Sequence, residues 1–305
     1  MNLEVRGCGT ALVTPFRKDG SVDETALRRL VQFQIQEGID FLVPCGTTGE
    51  TPTLDHGEYL GVIRVVKEEA GGRVPIIAGV GGNNTRKVCE VAVEVEGLGV
   101  QGMLSVAPYY NKPTQEGLYQ HFKAIAESTN LDVVLYNVPG RTSSNIEPAT
   151  VGRLSQIPNI VAIKEACGSI VQQMEVLSAV KPGFQVLSGD DAFTFPLMAL
   201  GGKGVICTSS NQIPAPMVRL THLMLEGKIE EARQLHFQWL PLMQANFFET
   251  NPIPVKAGLA MMGLIEEVYR LPMVPMKPEN RLKLEKVMAE QGLLQPQKAS
   301  LQQAT

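Results

Sequence analysis

Eight short apolar runs recur along the chain, each followed by a polar stretch with helical spacing, and this alternation restricts the fold more than any other feature. The runs are Gly9–Thr14, Phe41–Cys45, Pro75–Val80, Gly102–Ala107, Val133–Val138, Ile160–Ile163, Phe184–Leu187 and Gly204–Cys207. They are rich in Val, Ile and Leu and do not alternate with polar residues. Parallel strands covered on both faces read this way, whereas strands with one wet face do not. The segments between them predict helices: Val22–Glu37, with Leu27, Leu30, Val31 and Ile35 at helical spacing, then Leu54–Ala70, Thr85–Glu96, Thr114–Thr129, Glu147–Gln156, Ser169–Val180, Ala192–Leu200 and Pro214–Glu226. Pro214 suits a helix start, and Gly38, Gly71 and Gly227 stand where helices should stop.

Eight strand–helix units in series predict an α/β fold, a (β/α)8 TIM barrel. A doubly wound open sheet is the alternative, but it would normally need fewer strands or a second sheet. Residues 1–227 are expected to form the barrel. Residues 228–293 lack strand signals and carry three further helical segments, Ile229–Phe248, Ile253–Met262 and Glu279–Gln291, expected as an extension packed on the barrel. The Gln/Ala/Ser-rich tail, 294–305, is expected to be disordered.

With 305 residues, 44% of them hydrophobic and 19% charged, the chain can bury a sizeable core. The net charge is −4 and the basic residues are scattered, which argues against nucleic acid as a partner. No stretch approaches the length of a membrane span, and Met1–Gly9, with Glu4 and Arg6, does not read as a signal peptide. The five cysteines are odd in number and far apart, as expected of reduced thiols in a cytoplasmic protein.

In such a barrel the active site lies at the carboxyl ends of the strands. There the sequence places Gly46-Thr47-Thr48-Gly49-Glu50, Tyr109-Tyr110-Asn111, Tyr136-Asn137-Val138-Pro139-Gly140-Arg141, Lys164-Glu165, Gly189-Asp190-Asp191 and Thr208-Ser209-Ser210-Asn211. Lys164 stands out because it ends an apolar strand, and lysine is rarely buried without a reason. It could simply be neutralised by Glu165 or Asp190. Its functional reading is a nucleophile: burial disfavours an ammonium and releases an amine that forms an imine with a ketone. A protonated imine is then an electron sink for carbanion chemistry.

Other chemistries lack their parts. His56, His121, His222 and His236 all fall in helical segments, and no two have metal-ligand spacing. There is no Gly-x-Ser-x-Gly elbow. Asp190-Asp191 is better placed to cap a helix than to hold a cation. Gly79-Val80-Gly81-Gly82-Asn83-Asn84 lacks the last glycine of a dinucleotide loop. Val161-Ala162-Ile163-Lys164 matches a kinase strand, but the chain has no His-Arg-Asp or Asp-Phe-Gly. Of six tyrosines, three (Tyr109, Tyr110 and Tyr136) fall at strand ends, where a phenol can relay protons.

The runs Gly46–Glu50, Pro108-Tyr109-Tyr110-Asn111-Lys112-Pro113, Tyr136–Thr142 and Ile163-Lys164-Glu165 together resemble the dihydrodipicolinate synthase family, in order and spacing, from about Gly7 to Gly292. The resemblance implies condensation of pyruvate with L-aspartate 4-semialdehyde on the route to lysine, with no metal or organic cofactor. It implies that Lys164 forms the imine and that Tyr136 exchanges protons above it. Thr47 would link Tyr136 to Tyr110, which in the family comes from the neighbouring subunit of a dimer, commonly within a dimer of dimers. Thr48 would bind the pyruvate carboxylate, Gly189 and Ile206 would line the pyruvate pocket, and Arg141 would receive the aldehyde's carboxylate as a guanidinium fork. Sister enzymes share the lysine and tyrosine but take other aldehydes: N-acetylneuraminate lyase and the 2-keto-3-deoxygluconate and 4-hydroxy-2-oxoglutarate aldolases. The Tyr-Tyr-Asn-Lys-Pro run and Arg141 favour the synthase.

Some members of the family are inhibited by lysine at the dimer interface. The matching positions are Thr51, Pro52, His56, Tyr59, Asn83, Lys87 and Tyr109. Inhibited members carry glutamate at Lys87 and histidine at Tyr59, so weak or absent feedback is expected. Two other classes remain: a non-catalytic ligand-binding barrel, disfavoured by the full set of site residues, and a pyridoxal-phosphate enzyme, for which no phosphate site can be assigned.

Overall fold

A computed structural model describes residues 3–294. Of the tail expected to be disordered, 294–305, Leu294 is described and lies against the core, and residues 295–305 fall outside the described part.

All eight anticipated strands form: β1 (Gly7–Ala11), β2 (Phe41–Val43), β3 (Ile77–Gly79), β4 (Gly102–Val106), β5 (Asp132–Asn137), β6 (Ile160–Glu165), β7 (Gln185–Ser188) and β8 (Gly204–Cys207). Each pairs in parallel with its neighbours in the order β2-β1-β8-β7-β6-β5-β4-β3. A bridge between Leu42 and Ile76, with the Leu42 N–H on the Pro75 carbonyl at 3.0 Å, closes β2 onto β3. The sheet is therefore a barrel, and the open-sheet alternative is excluded.

The helices on the outside are α1 (Glu24–Gln36), α2 (His56–Ala70), α3 (Thr85–Gly97), α4 (Gln115–Ser128), α5 (Pro139–Thr142), α6 (Pro148–Leu154), α7 (Ile170–Ala179), α8 (Thr194–Ala199) and α9 (Pro214–Leu225). Local chemistry sets their ends. Asp55 caps α2 through the Glu58 N–H while the Glu58 side chain returns to the Asp55 N–H, a capping box. Gly38, Gly71 and Gly227 all take positive φ, as helix stops require. The four-residue α5 was not anticipated. It starts at Pro139, where the sequence reads as a strand-end loop.

Alternation along the strands divides the core in two. Ala11, Phe41, Val43, Ile77, Leu104, Val134, Ala162, Leu187 and Ile206 fill the barrel. The residues between them face the helices. The three last helices are α10 (Ile229–Ala245), α11 (Ile253–Met261) and α12 (Pro278–Glu290). Val255 and Leu259 of α11 pack with Val13, Ala26 and Leu30, and Leu293 and Leu294 lie against the main core. No helix among the described residues is long and apolar enough to cross a membrane.

Each histidine has a neighbour within the fold. His222 pairs with Asp40 at 2.9 Å and His56 with Glu94 at 2.7 Å. His236 lies between Phe195 and Phe237, and buried His121 meets the Thr85 hydroxyl at 2.9 Å. All five cysteines are free thiols, three of them buried and Cys89 and Cys167 half-buried. Burial holds His121 down to about 4, while the unfolded residue titrates near 6.5. Between those values the unfolded chain binds the extra proton, so His121's contribution is complete above about pH 6.5 and is lost as pH falls towards 4. Urea unfolding at stepped pH should show a His121→Asn variant losing less stability than wild type over that window, by up to about 1.4 kcal/mol per pH unit.

Candidate active site

Tyr136 and Lys164 face each other across the β5–β6 ladder, in direct register. Both point into the barrel mouth, and both are buried, at 6% exposure. The Lys164 ammonium nitrogen lies 4.4 Å from the centre of the Tyr136 ring. Neither candidate carboxylate neutralises it. Glu165 faces the opposite side of the wall, where it accepts from the Asn137 amide and the Cys167 N–H. Asp190 accepts the Ala192 N–H as a helix cap, and Asp191 accepts from Thr208 and Ser209. Asp190 is near enough to feel the charge of Lys164. Burial and Asp191 push the Asp190 carboxyl above the usual carboxylate range, and Lys164 works in the other direction. Among the described residues Lys164 forms no ion pair.

Gly189, just past β7, sets the space beside Lys164. A Cβ there would sit 2.7 Å from the Ala166 Cβ and 3.0 Å from Lys164 Cγ. Glycine is thus the residue that lets the lysine side chain lie along the wall. Ile206 joins Ala11, Leu187 and Tyr136 in the apolar interior beneath it.

Thr47 and Thr48 occupy a 3-10 turn, Thr47–Gly49, immediately after β2. Non-glycine residues on either side of it, Cys45 (φ 56°) and Glu50 (φ 51°), adopt the left-handed region. Such strain persists only where surrounding contacts enforce it, and the contacts are evident. The Glu50 carboxylate accepts from Lys256 Nζ at 2.5 Å and from the Arg270 N–H at 3.2 Å. Lys256 is fully buried, 4.3 Å from the centre of the Phe16 ring. Burial pushes its ammonium below its usual range, and Glu50 opposes that shift.

Asn251 belongs to the site but was not anticipated. Its Nδ2 donates to the Thr48 hydroxyl at 2.9 Å, and its carbonyl accepts from Arg141 Nη2 at 3.4 Å. One residue from the segment before α11 therefore ties the expected carboxylate-binding threonine to the expected entrance arginine. Nothing local in the sequence marks Asn251; only the docking of α11 places it there.

Tyr110 does not join this group within its own chain. It is 88% exposed with φ 73°. Among the described residues the hydroxyls of Tyr136, Thr47 and Tyr110 make no hydrogen bond to one another. The residues matched to an effector site separate into two sets. Asn83 donates to the Tyr109 carbonyl and accepts from Asn111, and Lys87 lies exposed in the first turn of α3. Thr51, by contrast, donates to the Gly46 carbonyl, and buried Tyr59 spends its hydroxyl on the Gly79 carbonyl at 2.8 Å.

This geometry has close counterparts. The model of the dihydrodipicolinate synthetase family matches residues 4–291. The chain is 59% identical over 293 residues to the 4-hydroxy-tetrahydrodipicolinate synthase of Koribacter versatilis, covering 96% of this chain and 98% of that one. The solved dihydrodipicolinate synthase of Thermotoga maritima superposes with a TM-score of 0.93 at 45% identity, over 95% of this chain and 99% of that one. The Acinetobacter baumannii enzyme, solved with pyruvate, superposes at 0.94 and 41% identity, over 95% and 100%.

Removing one partner of a buried ion pair strands the other charge, at a cost of about 3–5 kcal/mol. Lys256→Ala should lose stability of that order in urea unfolding. The double variant Glu50→Gln with Lys256→Met should lose clearly less than the two single losses added together.

Proposed function

The chain belongs to the dihydrodipicolinate synthetase family, and on that premise we propose how its barrel mouth carries out the family's reaction. The enzyme is a lyase that condenses pyruvate with L-aspartate 4-semialdehyde to 4-hydroxy-tetrahydrodipicolinate, in lysine and diaminopimelate biosynthesis. The observation that carries the mechanism is Lys164: a buried amine without a carboxylate partner among the described residues, 4.4 Å from the Tyr136 ring.

The Lys164 amine attacks the ketone carbon of pyruvate, and water leaves as the imine forms. Loss of a methyl proton gives the enamine, whose carbon attacks the aldehyde. The amine of the second substrate then displaces Lys164 from the imine carbon, closing the ring and freeing the enzyme. Tyr136 is the group placed to take and return protons over the lysine. Thr48 is suited to the pyruvate carboxylate. Its oxygen already accepts from Asn251, so its own proton is free to donate. Gly189 and Ile206 shape the pyruvate pocket, and Arg141 at the rim offers two donors to the carboxylate of the aldehyde.

The proton relay through Thr47 is completed by Tyr110 of a second copy. Its exposure and left-handed backbone support that reading, because they turn a large aromatic side chain out into solvent, where a second copy could cover it. Val171 and Met174, one turn apart on α7, are a second set of exposed apolar side chains, in keeping with a dimer of dimers. The free cysteines fit a cytoplasmic setting. At the effector positions, the Lys87 ammonium would repel a lysine ligand, and Tyr59 is already engaged with Gly79.

Borohydride added with pyruvate should leave a reduced adduct on the peptide holding Lys164. Finding no adduct in wild type, or an equal one in Lys164→Ala, would defeat the mechanism. Steady-state assays should also show little response to lysine, and half-inhibition at submillimolar lysine would sink that expectation.

A further inference from the structure

Behind the wall that carries Tyr136 and Lys164 lies a second pair, one residue further along each strand. Asn137 and Glu165 are also in direct register, and both are fully buried on the face turned towards the helices. The Asn137 Nδ2 donates to both carboxylate oxygens of Glu165 at 3.1 Å, and the Cys167 N–H donates to one of them at 2.8 Å. The rest of the Asn137 amide is also used: Nδ2 donates to Asn145 Oδ1 at 2.9 Å and Oδ1 accepts the Ile146 N–H at 3.0 Å. The cluster thus joins β5, β6, the loop after β6 and the loop that follows α5, the short helix bearing Arg141.

We propose that Asn137 and Glu165 are positioning residues for the reaction, a clamp on the back of the wall that holds Tyr136 and Lys164 opposite each other. This rests on the imine reading of Lys164.

Two observations carry it. The first is the ladder itself. Val133 pairs with Ile160 but Val134 pairs with Ala162, so the β5–β6 register slips by one residue just before the catalytic pair. A bulge increases local twist and leaves the downstream alignment to other contacts, and a slip of one residue would turn Lys164 out of the barrel. The Asn137–Glu165 bonds re-pin the register at the reacting end. The second is energetic. Glu165 has no cationic partner among the described residues, and burial pushes its carboxyl above the usual range, against the pull of its hydrogen-bond donors. A carboxylate in that setting is costly, and an apolar side chain of similar size would pack there more cheaply. What the carboxylate supplies instead is direction, since its two oxygens hold two strands and a loop at fixed angles.

The test measures the rate at which borohydride-trappable pyruvate adduct forms on Lys164, per folded molecule judged by circular dichroism. Glu165→Ala and Asn137→Ala should each slow it by about 10- to 100-fold, the scale of an ångström-level misplacement. The double variant should be no slower than the worse single, because both remove the same clamp. Glu165→Gln, which keeps an acceptor for Asn137 and Cys167, should recover most of the rate. If Glu165→Ala does not fold, Asn137→Ala against Glu165→Gln decides. Wild-type trapping rates in the folded variants, or single losses that multiply in the double, would overturn the clamp. Absence of adduct in wild type would overturn the imine reading, and the clamp with it.

Discussion

A lysine buried beneath an aromatic ring and paired with a carboxylate, Lys256 with Glu50, joins the helical extension to the mouth of the barrel. Both side chains are withdrawn from water, so the pair is expensive to assemble and yet more expensive to break. Its consequence is geometric. Glu50 ends the turn that holds Thr47 and Thr48, and that turn runs through left-handed backbone at both ends. The pair, with the Arg270 N–H on the second carboxylate oxygen, keeps the turn in this conformation. Arg270 extends the hold. It clasps Glu58 at the start of α2 and the carbonyls of Gly20 and Thr53, while lying over the Phe16 ring.

The chain therefore buries two lysines for opposite ends. Lys256 is paired, surrounded and structural. Lys164 is buried to a similar degree beside a phenol, with its carboxylate neighbours occupied elsewhere: Glu165 by Asn137 and Cys167, Asp190 by a helix cap. A buried amine left without a carboxylate is costly to the fold, and the imine chemistry proposed for Lys164 gives that cost a purpose.

The same division runs through the barrel wall. Period-two alternation puts the proposed reacting groups on the inside and their proposed clamp on the outside, one residue apart. Tyr136 and Lys164 look into the mouth, while Asn137 and Glu165 fasten the strands behind them. Asn251 works from a third direction, joining Thr48 to Arg141 from the extension.

Much of this was legible in the sequence, because it is written in local pattern. Continuous apolar runs, helix-period segments, capping residues and helix-stop glycines specify eight strands and their helices, since burial on both faces permits no other composition. The ends of those runs put Lys164, Tyr136, Thr47, Thr48 and Arg141 at the barrel mouth, since the pattern of the fold says where strand ends meet. What the sequence could not say was which charges pair. Lys164 next to Glu165 looks like an ion pair on paper, and alternation sends the two to opposite faces. Lys256 looks like an ordinary helix lysine and is the one that is paired, with a carboxylate far away in the chain. Asn251 carries no local mark at all. The roles of Lys256 and Asn251 depend on contacts between segments distant in sequence, and only the packing of the extension against the barrel decided them.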